Sequence, residues 1–100
     1  MRLKGKRIAF LIEEGFEDLE FWVTVMRLRE EGAVVTIVGG DGKHYRGKNG
    51  LAASADVNVE QVDAAAFDAV VVPGGWAPDK MRRSAAVKRL VREMSAAGKI

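Results

Sequence analysis

Four glutamates stand close together after the first apolar run of the sequence: Glu13, Glu14, Glu17 and Glu20. In open α/β sheets, functional sites form outside the carboxyl ends of strands, where all four glutamates are expected to lie. Glu17 and Glu20 are three positions apart, so on a helix they share one face. The alternative is that these carboxylates only stabilise the unpaired N–H groups and positive dipole end of a helix start. A metal site is not predicted, because it needs further oxygen ligands and Asp18 points elsewhere.

A second candidate is Pro73-Gly74-Gly75-Trp76, which follows an apolar run. Two adjacent glycines allow close backbone approach and leave N–H groups free, as an oxyanion hole or anion site requires. The alternative is an ordinary turn between a strand and a helix. No GxGxxG or P-loop motif occurs, which excludes those nucleotide-binding classes. His44 lies in a loop rich in glycine and lysine with no nearby Ser or Cys, and we interpret it as a solvated loop residue.

The composition is that of one small globular domain, with 100 residues, 48% hydrophobic and 30% charged. Cysteine is absent, which excludes disulfides, thiolate metal sites and a cysteine nucleophile within this chain. A net charge of +2 gives little attraction for a phosphate backbone, so no nucleic acid partner is predicted. The basic residues of the last predicted helix are interpreted as a solvated face: Arg82, Arg83, Lys88, Arg89 and Arg92.

No apolar run has the ~7–15 residues of a secretory signal or the ~20 of a membrane span, so we expect a cytoplasmic protein with no membrane partner.

The elements that position these motifs alternate between strands and helices. Apolar runs predict buried strands over residues 7–12, 33–38 and 67–72, with one or two weaker strands in 51–59 and turns or a small hairpin in 39–50. A first helix covers residues 19–28, with positions 19, 22, 23 and 26 as its core face, widened by Phe21, Val25 and Leu28. Pro78 opens a last helix that Gly98 closes, with one apolar face formed by Met81, Val87, Leu90, Val91 and Met94. This order predicts a doubly wound α/β sheet with a core of three parallel strands.

Lys99-Ile100 resembles the first step of another strand, so we expect residues 1–100 to be the first half of a larger domain. Such a half leaves a sheet edge and apolar faces exposed. We therefore expect either a homo-oligomer, paired through the first helix or the open edge, or a partner that supplies the complementing C-terminal half.

The segments RIAFLIEEGFEDLEFWVTVMRLREEG, KNG, FDAVVVPGGWAPDKMRRS and AAGKI resemble the PfpI family of intracellular-protease-like cysteine hydrolases. Its parkinsonism-associated relatives and the class I glutamine amidotransferases share that superfamily. The resemblance implies a flavodoxin-like parallel sheet with helices on both faces, and a catalytic Cys followed by His on a strained turn after the next strand. It also implies proteolytic, glyoxalase or deglycase activity, without metal or cofactor.

The resemblance assigns roles to residues that this sequence contains. Glu20 matches the glutamate that hydrogen-bonds the nucleophilic thiol, with Glu17 as its companion. Gly75, beside Gly74, matches the oxyanion donor, and Trp76 lines the pocket mouth. The nucleophile and its His have no counterpart, so we expect the N-terminal part of a PfpI-type hydrolase that is inactive alone. The alternative is a non-catalytic half-domain that self-assembles to complete its sheet. A receiver-type or flavin-binding module ranks lower.

Overall fold

The computed structural model describes residues 2–40 and 42–100, so Asp41 of the predicted turn-rich segment lies outside the described residues. The main sheet is parallel and has four strands. Its central strand β1 (Arg7–Ile12) pairs with β2 (Val34–Gly39) on one side and β6 (Ala69–Val71) on the other, and β5 (Val57–Asn58) extends the sheet beyond β2. The sequence predicts a core of three parallel strands, but the sheet has four. The additional strand, β5, comes from the weakly alternating segment 51–59, in which one or two short strands were expected.

The turn-rich segment leads into a small antiparallel hairpin, as predicted. It consists of β3 (His44–Arg46) and β4 (Ala52–Ser54), joined by residues 47–51. The Tyr45 hydroxyl donates to the Gly42 carbonyl at 2.6 Å and accepts from the Gly42 N–H at 2.7 Å. These bonds close the turn that precedes the hairpin.

The first helix, α1 (Asp18–Glu30), packs against the sheet through a different face from the predicted one. Its buried residues are Asp18, Phe21 and Val25. Phe21 meets Phe10 of β1 edge to face, with ring centroids 5.1 Å apart, and Phe16 at 5.0 Å. The aromatic contacts, worth ~0.5–1.5 kcal/mol each beyond area burial, favour this rotation of the helix.

The predicted core stripe of α1 at positions 19, 22, 23 and 26 is therefore wrong. Leu19, Val23 and Met26 are 64%, 57% and 60% exposed, and Trp22 is half-buried. The helix carries apolar residues on more than one face, so periodicity alone does not identify the face that meets the sheet. An exposed apolar stripe, formed by Leu19, Val23 and Met26, results on the outer side of α1.

The sequence predicts one helix from Pro78 to Gly98, but two helices form. They are α2 (Ala77–Met81) and α3 (Ala85–Ala96), separated by residues 82–84. Ser84 begins α3, because its hydroxyl accepts a hydrogen bond from the Val87 N–H at 3.2 Å as an N-cap residue does. The core face of α3 consists of Val87, Leu90 and Met94, whereas Val91 is 39% exposed.

Both faces of the sheet are covered, which confirms the predicted α/β class. β1 is buried from Ile8 to Ile12, although its side chains alternate between the two faces. Helix α3 packs beside β6 and two 3-10 turns, Val59–Gln61 and Ala64–Ala66.

Strand β6 is shorter and more exposed than the predicted buried strand 67–72. Its three residues are half-buried and the following Val72 is 46% exposed. The reason is that β6 is an outer strand of the sheet. The Val70 N–H donates to the Ile100 carbonyl at 2.8 Å, so the segment predicted to begin another strand lies against β6. Of the helices in the described ranges, none has the length and apolarity needed to cross a membrane.

Candidate functional site

Two loops meet at the carboxyl edge of the sheet, because β1 and β6 are neighbouring parallel strands. The Trp76 N–H donates to the Gly15 carbonyl at 2.8 Å, and the Glu17 N–H donates to the Gly74 carbonyl at 2.9 Å. These bonds form an antiparallel bridge between Phe16 and Gly75. The loop after β1 and the loop after β6 therefore hold each other in place.

Gly75 occupies a backbone position that a side chain would disturb. Its φ is +88°, and a Cβ built there would lie 2.6 Å from both the Glu17 nitrogen and the Gly15 oxygen. Within residues 2–40 and 42–100, no acceptor pairs with the Gly75 N–H. A backbone donor is therefore held open at the edge of the sheet, as an oxyanion hole requires.

Glu20 meets the Gly-Gly turn directly. Its Oε1 accepts a hydrogen bond from the Gly74 N–H at 2.7 Å. The sequence predicted this convergence of Glu20 with the Gly74-Gly75 backbone, and the structure brings them together. Because Glu20 occupies the Gly74 N–H, the open donor of the pair is Gly75. The chemical roles of Glu20, Gly74 and Gly75 stay predictions.

Glu17 lies one helical turn before Glu20 and is the N-cap of α1. Its Oε1 accepts from the Leu19 N–H at 3.4 Å, and its Oε2 lies 2.9 Å from the Lys48 ammonium. The hydrogen bond and charge of Glu17 raise the pKa of Lys48, with smaller contributions from Glu20 and Asp18 and against the desolvation of the amine. The KNG segment of the family resemblance includes Lys48, but no role is predicted for this residue, because it lies in a hairpin loop distant along the chain from the glutamates.

Asp18 holds that hairpin loop against the start of α1. It is 1% exposed, and its carboxylate accepts from the Asn49 N–H at 2.9 Å and the Leu51 N–H at 2.8 Å. Burial raises the pKa of Asp18, but the backbone hydrogen bonds outweigh it and lower the pKa below its ordinary value. Gly47 approaches the carboxylate so closely that a Cβ would overlap it. Asp18 thus acts as an anchor for the loop that carries Lys48.

The other two glutamates of the predicted cluster lie away from this site. Glu13 is 7% exposed, accepts from the Glu14 N–H at 3.0 Å and lines a separate cleft of about 480 Å³ with Lys80 and Arg83. Glu14 accepts from the Arg46 N–H at 3.0 Å. The site therefore contains two of the four clustered glutamates.

Trp76 is 67% exposed, and its ring lies over Gly15, where a Cβ would be 3.0 Å from the ring carbon Cε3. Its role at a pocket mouth stays a prediction. His44 is exposed, as predicted for a solvated residue, but it lies on strand β3 rather than in a loop, and its Nδ1 is 3.0 Å from the Ser54 Oγ. Pairing of β3 with β4 brings these two residues opposite each other. In the described part of the chain, no three His, Cys, Asp or Glu residues form a group that could hold a metal ion.

The parallel sheet and the Gly-Gly turn at its carboxyl edge define a flavodoxin-like α/β protein, and solved structures agree. A two-domain protein from Anabaena variabilis, with DJ-1/ThiJ/PfpI-like and ferritin-like domains, is 43% identical with a TM-score of 0.89, covering 95% of this chain and 28% of that chain. Drosophila melanogaster DJ-1beta is 29% identical with a TM-score of 0.89, covering 95% of this chain and 52% of that one. The chain belongs to the DJ-1/PfpI family, which matches residues 6–100, and the resemblance stated from the sequence is confirmed.

Several curated relatives are deglycases by name. Deglycase PfpI from Pyrococcus furiosus is 36% identical over 93 residues, which cover 93% of this chain and 56% of that protein. Protein/nucleic acid deglycase 2 from Escherichia coli is 38% identical over 97 residues, covering 95% and 56%. The chain spans about half the length of the curated relatives it matches.

Proposed function

We propose that this chain forms the N-terminal part of a cysteine-dependent deglycase, glyoxalase or protease site, in which a second segment or polypeptide supplies the Cys and His. The observation that carries the proposal is the Glu20–Gly74 hydrogen bond beside the open Gly75 N–H. This pair offers a carboxyl group and an oxyanion donor at one place. The sequence itself contains no cysteine.

Glu20 would activate the incoming thiol. Its Oε1 is occupied by the Gly74 N–H, so Oε2 is the atom left to face a reacting group. The Glu20 carboxylate would take the proton of the thiol at Oε2 and then donate it in a hydrogen bond back to the thiolate. This bond stabilises the charged form and lowers the thiol pKa, which makes the sulfur nucleophilic near neutral pH. The thiolate would then attack the carbonyl carbon of an aldehyde, a dicarbonyl adduct or a peptide.

Gly75 would stabilise the oxygen that becomes negative during this attack. A single backbone donor of an oxyanion hole contributes about 10²–10³-fold in rate. The bridge between Phe16 and Gly75 holds the donor in place before substrate binds, so little reorganisation is needed during the reaction. Trp76, exposed next to Gly75, would cover the apolar part of the substrate.

Activity assays with and without a complementing half test this function. The purified chain should not convert methylglyoxal or peptide substrates above a buffer blank, because it has no thiol. Mixing it with the C-terminal half of the Pyrococcus furiosus deglycase should restore conversion. The Glu20→Gln variant should reduce the restored rate, whereas Glu30→Gln, on the exposed end of α1, should not. Turnover by the chain alone that disappears on Glu20→Gln would contradict thiol chemistry and indicate a carboxylate mechanism.

A second candidate function, self-assembly without catalysis, is favoured by the exposed apolar stripe of α1. Hiding ~300 Å² of apolar surface on each of two helices is worth roughly 15 kcal/mol gross, which is comparable to association costs of ~4–15 kcal/mol. We propose a symmetric pair of chains with the two stripes in contact. Light scattering at micromolar concentration should give the mass of a dimer or larger oligomer, and a sharp monomer mass would refute this assembly.

A further inference from the structure

Lys48 places a positively charged ammonium group beside the Glu17 carboxylate of the candidate site. Its Nζ lies 2.9 Å from Glu17 Oε2, and the two side chains are 35% and 19% exposed. Glu17 and Glu20 are one helical turn apart, and Glu20 also acts on the Lys48 charge. Two carboxylates at this spacing repel each other unless a cation lies beside one of them.

The backbone, rather than the flexible side chain alone, places Lys48. Its N–H donates to the Phe16 carbonyl at 2.9 Å. On its C-terminal side, Asp18 accepts from the Asn49 and Leu51 N–H groups at 2.9 and 2.8 Å. The Lys48 backbone therefore belongs to a loop segment that is fixed by hydrogen bonds on both sides. One bond joins it to the loop before α1, and the others join the residues that follow it to Asp18 of α1. A residue held in this way acts from a defined position.

We propose that Lys48 is a positioning residue of the candidate site, which holds Glu17 in its capping position and leaves Glu20 free to bind the Gly74 N–H. The inference rests on the proposed function, because it assigns a purpose to the Glu20–Gly74 contact. Lys48 acts through Glu17 and touches no reacting atom. Without its ammonium, the repulsion between the two carboxylates displaces the Glu20 side chain from the Gly74 N–H.

Amide hydrogen exchange, followed by NMR on the 100-residue chain, tests this role. In Lys48→Met, the Gly74 amide should exchange roughly two- to fivefold faster, the range expected from loss of one partly exposed ion pair. The Asn49 and Leu51 amides should keep their exchange rates, because Asp18 still binds them. Lys48→Arg should restore the Gly74 rate. Lys43→Met, which removes a charge from an exposed position before the same hairpin, is the matched control and should leave it unchanged.

Two results would overturn the proposal. An unchanged Gly74 rate in Lys48→Met would show that Glu20 does not depend on the lysine. Equal acceleration at Gly74, Asn49 and Leu51 would show that Lys48 merely fastens the loop.

A double variant separates the positioning role from the proposed function. In a Glu17→Gln background, Lys48→Met should add no further acceleration at Gly74, because Lys48 acts through Glu17; additive effects would contradict this. These measurements need no thiol. If the complemented assembly shows no thiol reaction while the exchange pattern holds, the proposed function fails and the positioning role of Lys48 stands.

Discussion

Replacing Gly75 with alanine should destabilise the protein much more than the same change at Gly98. Both glycines have positive φ, +88° and +73°, which alanine adopts at a cost of about 1–2 kcal/mol. Alanine also restricts the unfolded chain, which offsets about 0.4–1 kcal/mol of that cost. A Cβ at Gly98 would meet nothing within 4 Å. The net loss expected for Gly98→Ala is therefore about 0–1.6 kcal/mol.

The surroundings of Gly75 add a second cost. Its Cβ would lie 2.6 Å from the Glu17 nitrogen and the Gly15 oxygen, and both are backbone atoms that cannot rotate away. The loops must separate, which loses two bridge hydrogen bonds at about 1 kcal/mol each. The total for Gly75→Ala is about 2–3.6 kcal/mol. At roughly 4–8 °C per kcal/mol for a domain of this size, the melting temperature should fall by about 15 °C, against about 5 °C for Gly98→Ala.

Thermal melts followed by circular dichroism measure this difference. All variants are compared at one protein concentration, because self-association makes the melting temperature depend on concentration. Equal falls in melting temperature for the two variants would refute this prediction, because they would show that the two loops can move apart with little loss of stability. The Glu17 and Trp76 amides should also lose exchange protection in Gly75→Ala but not in Gly98→Ala.

Three further predictions concern the stability of the protein in acid, self-association through the apolar stripe of α1, and the packing of α3 in the core. The hydrogen bond and charge of Arg7 hold the pKa of Asp68 at about 2 rather than 3.8, so the stability from this pair is present above pH 3.8 and is lost as the pH falls through about 2. Asp68→Asn should flatten the stability profile in that window, and an unchanged acid slope would contradict this. Val23→Glu should abolish self-association in sedimentation experiments, whereas Ala96→Glu on the exposed side of α3 should not; equal effects would exclude the stripe as the interface. Met94→Ala should lower the unfolding free energy in urea by about 3 kcal/mol, because Met94 is 1% exposed, and a loss within 0.5 kcal/mol would show that the α3 contact is loose.

The face of α1 shows where sequence patterns stop being informative. The sequence predicts only that Asp18 points away from the other carboxylates, whereas the structure buries its side chain. A buried carboxylate is acceptable there because two N–H groups from a loop some thirty residues later bind it. Periodicity within one helix contains no information about such a partner. The apolar residues at 19, 23 and 26 consequently remain outside.

The order of strands and helices could be predicted because the apolar pattern that indicates each element lies within the residues of that element. The break at residues 82–84 had a local signal as well, since Ser84 is a favoured N-cap residue, but the apolar spacing across it suggested one continuous helix. Lys48 belongs to the KNG segment of the family resemblance, but nothing in that segment indicates a contact with Glu17. Its ion pair with Glu17 exists because the hairpin folds back onto α1, and only tertiary structure brings the two together.

The candidate site depends mainly on backbone geometry that is set within these 100 residues. The Gly75 donor is set by two main-chain bonds between neighbouring loops, and the Lys48 loop is set by main-chain groups bonded to Asp18 and Phe16. These contacts lie within a segment whose central strand is paired on both sides. A thiol supplied from outside would therefore meet groups that are already oriented, so assembly would need to position the sulfur and its His rather than rebuild the site.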